Sequence, residues 1–126
     1  MNKKIVNTAK APTPIGPYSQ AVKAAGMLYL SGQIAINPQT SQLVEGSIEE
    51  ETIQVMSNLH AVLDAEGLDF NHVVKSTIFL SDMKLFAQVN EVYNKYFEGD
   101  FPARETVAVK GLPRNVNVEI SMIAAE

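Results

Sequence analysis

Apolar and polar positions follow several different rhythms along this chain, and each rhythm predicts an element. The stretch up to Gly26 is broken by Pro12, Pro14 and Gly16-Pro17, which leaves short extended pieces around Ile5-Val6 and from Ala21 to Ala24. Loop with edge strands is expected there. From Met27 to Ile36 the run Met-Leu-Tyr-Leu-Ser-Gly-Gln-Ile-Ala-Ile is rich in strand formers, carries Gly32 inside it and stops at Asn37-Pro38. Ser47 and Glu50 have capping-box spacing, in which each side chain satisfies the other's free backbone N–H, and Glu49 and Glu51 complement the helix dipole. Behind that cap Ile53, Met56, Leu59 and Leu63 recur at helical spacing, and Gly67 can close the helix with Leu68 folded back on Leu63. The helix spans about five turns.

Val73 to Leu80 is almost continuously apolar with Lys75, Ser76 and Thr77 inside it, as in a central strand. Asp82 is placed to cap a second helix with the stripe Phe86, Val89, Tyr93 and Tyr96-Phe97, whose aromatics read as core packing, ended by Gly99 before Pro102. Two strands follow, Arg104 to Val109 and Val116 to Ala125, divided by Gly111-Leu112-Pro113. This order predicts a single α+β domain over residues 1–126, a two-layer sandwich with both helices on one face of the sheet.

Side-chain parity assigns the faces. In the last strand Val116, Val118, Ile120 and Met122 share the side on which helices should pack, and Asn117, Glu119, Ser121 and Ile123 share the other. Val107 and Val109 point one way and Arg104 with Thr106 the opposite way, which assigns Arg104 together with Glu119 to the uncovered face. Ile123 and Ala125 would leave an apolar patch on that face, so self-association is expected.

Composition narrows the chemistry. The 126 residues suit one core, and a formal charge of −4 with scattered Lys and Arg disfavours nucleic acid as a partner. The charges of Met1-Asn2-Lys3-Lys4 are not followed by the apolar run of a signal peptide, and no stretch approaches the roughly 20 apolar residues that span a bilayer, so a soluble cytoplasmic protein is expected. With no cysteine, disulfides, thiolate nucleophiles and cysteine-ligated zinc are excluded. His60 and His72 form no ligand pair, and Glu49-Glu50-Glu51 reads as a helix N-terminal charge cluster, so no metal or cofactor is expected.

Several segments carry a more specific signal: Ile15-Gly16-Pro17-Tyr18-Ser19-Gln20, Ser31-Gly32-Gln33, Val89-Asn90, Phe101-Pro102-Ala103-Arg104 and Val118-Glu119-Ile120. Together they resemble the RidA, or YjgF, family of reactive-intermediate deaminases, nearly end to end in order and spacing. The resemblance implies a chorismate-mutase-like sandwich with a mixed sheet, assembled as a homotrimer with clefts between subunits. Chain order alone would pair the last two strands as a hairpin. The resemblance instead places the final strand between the Met27 and Val73 strands, antiparallel to both.

It also implies a reaction, the hydrolysis of small 2-imino acids, formed from enamines such as 2-aminoacrylate and 2-aminocrotonate, to 2-oxo acids and ammonia without a cofactor. Such chemistry needs a carboxylate anchor, a directed water and a proton carrier. Arg104 has the planar fork for the first task. By resemblance Glu119 orients and polarises the water with help from the Ser31-Gly32 backbone, while Tyr18, Ser31 and Asn90 complete the pocket, Asn90 coming from a different chain than Arg104. Thr106 stands where many relatives have cysteine, and its backbone N–H can still meet a carboxylate. Without the resemblance each of these residues reads as structural, for example Arg104 and Glu119 as an ion pair and Ser31-Gly32 as a strand bulge. Two other functions compete: a non-catalytic carboxylate-binding regulatory module, and a ribonuclease or translation inhibitor.

Overall fold

The computed structural model describes residues 2–126. Six strands form one sheet: β1 (Lys4–Val6), β2 (Ala21–Ala24), β3 (Met27–Gln33), β4 (Val73–Leu80), β5 (Ala103–Ala108) and β6 (Val118–Ala125), in the order β1-β2-β3-β6-β4-β5. All neighbours are antiparallel except β4 and β5, which are parallel. The last strand thus lies between β3 and β4, and the hairpin that chain order favours is absent. A parallel β4–β5 pair requires a crossover, and α2 (Phe86–Asn94) supplies it. The longer α1 (Ile48–Asp64) connects β3 to β4.

Both helices cover one face. Val118, Ile120, Met122 and Ala124 of β6 are buried beside Leu28 and Leu30 of β3, Ile78 and Leu80 of β4, and Val55, Met56, Leu59, Val62 and Leu63 of α1. Among the described residues no helix covers the other face: Ile5, Tyr29 and Val107 are 46%, 47% and 44% exposed on it.

The first helix starts where expected. Ser47 Oγ accepts from Glu50 N at 3.1 Å, but the Glu50 carboxylate meets the Ser47 hydroxyl rather than the Ser47 backbone, so only half of the capping box forms. Glu51 is buried, and its carboxylate accepts from the backbone N–H groups of Asn117 (2.8 Å) and Val118 (3.2 Å) and from the Asn117 amide (2.8 Å). One member of the acidic cluster therefore ties α1 to the start of β6. At the far end Gly67 adopts φ +70° and Leu68 N donates to Leu63 O, as the glycine stop predicts.

The second helix is shorter than its stripe suggests. Asp82 caps a 3₁₀ turn, Met83–Leu85, that precedes α2, and Tyr96 and Phe97 lie beyond the helix while still packing on the core. Those two aromatics are held by Phe70, at centroid separations of 5.4 and 5.6 Å, so tertiary packing rather than helical geometry accounts for their apolarity.

Candidate active site

The open face carries a cleft of about 460 Å³ around Glu119, lined by Tyr18, Ser31, Gly32, Ile15, Pro113 and neighbouring residues. The β3–β6 register shifts between Leu30 and Gln33, so Ser31-Gly32 is a bulge as well as a candidate site. A Cβ at residue 32 would collide with the Glu119 carboxylate and lie 3.0 Å from its Cδ. Glycine here makes room for a functional group. Ser31 is fixed on both sides: its N–H donates to Gln20 O at 2.9 Å and its hydroxyl donates to Ser19 O. The buried Gln20 amide in turn accepts from Thr8 N and donates to Thr8 O and Pro12 O, which holds the proline-rich loop beside the cleft.

Glu119 itself is half-buried. Among the described residues its carboxylate has no hydrogen-bond or ion-pair partner, and burial alone pushes its carboxyl up from the ordinary glutamate value. The chain approaches it through a strained turn in which Arg114 and Asn115 have φ of 55° and 57°.

Arg104 lies elsewhere. It pairs in register with Ser76 of β4, whose side chain is buried under α2, so Arg104 is on the helix side of the sheet. Its Nη1 donates to Asn90 Oδ1 at 2.8 Å, and its guanidinium carbon lies 5.1 Å from the Tyr93 ring centroid and 5.7 Å from that of Phe86. No carboxylate lies within ion-pair distance of it among the described residues. An ordered cation without an anion is a ready site for one. A second hollow beside it is formed by Asn90, Tyr93, Asn94, Phe101, Pro102 and Arg104.

Three expectations change. Arg104 does not share the uncovered face with Glu119: Glu119 is in register with Phe79 and Val107 on the open side, and Arg104 and Thr106 with Ser76 and Ile78 on the other. Parity within β5 was legible, but the side taken by each set depends on its pairing with β4. Consequently the two form no ion pair within the chain. Asn90 also comes from the same chain as Arg104, because the crossover helix lays it directly on the guanidinium. Finally, Phe86 and Tyr93 are not core packing alone. Phe86, Asn90 and Tyr93 fall at i, i+4 and i+7 on α2 and together cradle Arg104, a spacing visible in the sequence once an arginine is known to face that helix.

The remaining polar candidates differ in their surroundings among the described residues. Thr106 Oγ1 is buried with no hydrogen-bond partner, whereas His72 closes a cap with Asp69 and His60 packs against Phe70, both outside the two hollows. No cluster of potential metal ligands occurs among the described residues, and no helix is long and apolar enough to cross a membrane.

Comparison with known proteins places this geometry in context. Residues 8–126 match the family model described as Endoribonuclease L-PSP. A mouse protein named 2-iminobutanoate/2-iminopropanoate deaminase is 48% identical over 98% of this chain and 92% of its own. The crystal structure of YyfA from Yersinia pestis, described as a Rid-family protein of unknown function, superposes with a TM-score of 0.96 at 48% identity, covering 99% and 100% of the two chains. That of Escherichia coli TdcF with bound serine gives 0.93 at 36% identity over 98% of each. With a family model spanning nearly all of it and relatives close to half identical, this chain belongs to the RidA family.

Proposed function

We propose that the protein is a hydrolytic deaminase of the cytoplasm that converts small 2-imino acids to 2-oxo acids and ammonia in a site completed by a second copy of the chain. The carrying observation is the pair of groups unsatisfied among the described residues: a guanidinium without an anion, and a partly buried carboxylate without a donor. A 2-imino acid supplies the complement of both. Its carboxylate matches the Arg104 fork, and its reacting carbon is the neighbouring atom, so Glu119 must act within a few ångströms of the anchor. Because the two residues face opposite sides of one sheet, Arg104 of one copy has to meet the Glu119 cleft of another. The bare sheet face favours such assembly, and a trimer closes it.

The steps need only protein groups and water. Glu119 takes a proton from a water as its oxygen bonds to the imine carbon and passes that proton to the imine nitrogen, giving a carbinolamine. The carboxylate then takes the carbinolamine hydroxyl proton and delivers it to the same nitrogen as the C–N bond breaks, so the carbonyl of the 2-oxo acid forms and ammonia leaves. A raised carboxyl pKa suits this two-way traffic. Ser31 and the Gly32 backbone steady the water, Tyr18 borders the pocket, and Asn90 and the Thr106 backbone N–H support the carboxylate end. The mouse deaminase's name and the serine bound to Escherichia coli TdcF agree with a small amino-acid-like ligand. The family description also mentions endoribonuclease, but neither hollow contains a histidine, and RNA cleavage by the same preparation is the control.

A coupled assay tests the proposal: a serine or threonine dehydratase generates the enamine, and 2-oxo acid release is followed with and without this protein. Acceleration is expected. Replacing Arg104 with Ala should lower turnover about 30-fold to several-thousand-fold, the range for losing a desolvated charge-assisted pair of roughly 2 to 5 kcal/mol. Lys should rescue only partly, since it keeps the charge without the fork. Full activity in folded Arg104→Ala would remove the proposed site.

A further inference from the structure

Ser76 is fully buried on β4, whose other inward residues include Ile78 and Leu80. An aliphatic residue would suit that place, yet the Ser76 hydroxyl accepts from the Tyr93 hydroxyl at 2.9 Å, the one buried bond between two side chains among the described residues. Tyr93 is 3% exposed, and its ring also packs on Phe97 at 4.7 Å. The ring is therefore fixed at both ends: its hydroxyl by β4 and its edge by the aromatic cluster. Ser76 is moreover the register partner of Arg104, so the residue that anchors the ring is directly beside the residue the ring supports.

We infer that Tyr93, tethered by Ser76, is a positioning residue that fixes the plane of the Arg104 guanidinium for carboxylate binding. The inference rests on Arg104 as the carboxylate anchor. Arginine has a long flexible stem, and two-point recognition of a carboxylate depends on the plane of the fork as much as on its charge. The Tyr93 face, 5.1 Å from the guanidinium carbon, restricts that plane, and Asn90 Oδ1 restricts rotation within it by holding Nη1. What remains free is the rest of the fork, and Arg104 lines a hollow with Phe101 and Pro102. Burial raises the Tyr93 phenol above its ordinary value, so the ring stays neutral and keeps its hydroxyl proton for Ser76.

The test measures 2-oxobutanoate binding by calorimetry and imine hydrolysis by steady-state kinetics. Tyr93→Leu, which removes the aromatic face, should raise both Kd and KM about tenfold with kcat changed less than about twofold. Tyr93→Phe and Ser76→Ala keep the ring but release it, and should raise them about threefold. Combination with Arg104→Lys separates positioning from fold support: with no fork to orient, Tyr93→Phe should add nothing to the KM of Arg104→Lys. The same added factor in both backgrounds, or a fall in kcat at unchanged KM, would overturn the positioning role. Failure of the unsubstituted protein to bind 2-oxobutanoate would overturn the anchor itself, and this inference with it.

Discussion

Glu119 is costly where it stands. Its carboxylate is partly desolvated and has no partner among the described residues, so the folded state holds the proton more tightly than the unfolded chain does. For an acid with a raised folded-state pKa, the native protein binds more protons between the unfolded and folded values, so stability falls as pH rises through that window. The penalty is complete above the folded pKa and vanishes below the unfolded one. Glu119→Gln should therefore be more stable than the parent at neutral pH, with the difference shrinking in acid, as read by denaturant unfolding at both pH values. The same substitution should slow imine hydrolysis by roughly 10² to 10⁴ while leaving 2-oxobutanoate binding intact, because an amide bonds water but cannot take its proton. In the unsubstituted protein, the acid limb of kcat/KM for imine hydrolysis should lie above the range of an exposed glutamate. Equal stability and equal rate for the two proteins would remove Glu119 from the chemistry.

At the scale of elements, the bulge in β3 determines whether that carboxylate can sit where it does. Gly32 leaves the space that a Cβ would take from Glu119, so Gly32→Ala should push the carboxylate aside and lower kcat at least about tenfold. The bulge sits at the cleft, and the atoms that an added Cβ would meet belong to the Glu119 side chain and not to the buried Leu28 and Leu30, so thermal unfolding should change little. Loss of fold in Gly32→Ala would make the glycine structural instead. Elements of this kind were largely legible in advance. The 73–80 strand has the bounds its apolar run predicts, and α1 begins after Ser47, because both signals are local. The Phe86–Phe97 stripe overstated α2, since an apolar residue packs equally well from a turn. Arg104's face was not legible: an edge strand has one neighbour, and its orientation is fixed only when Ser76 and Arg104 fall into register. The Arg104 cradle was hidden for the same reason, although its Phe86, Asn90 and Tyr93 spacing was in plain view.

The whole molecule has its two candidate half-sites on opposite faces, and that separation makes a prediction that no single-chain site shares. Consider Arg104→Ala, which keeps Glu119, and Glu119→Gln, which keeps Arg104. Each alone should be nearly inactive. In a cyclic trimer whose sites take Arg104 from one copy and Glu119 from the next, every mixed ring of these two variants contains one site built from two unsubstituted halves. Random assembly of equal amounts makes about three-quarters of the rings mixed, each with one intact site in three, so co-refolded protein should recover about a quarter of the parent activity. Mixing without unfolding should recover less, at the speed of subunit exchange. If the site lay within one chain, every copy would still carry one defect and no activity would return. Light scattering on the same samples tests the premise, because a stable monomer at micromolar concentration would leave Arg104 and Glu119 with no means of meeting. Recovery near a quarter, in particles of three chains, would establish that the sheet's bare face and its β5 edge belong to one site.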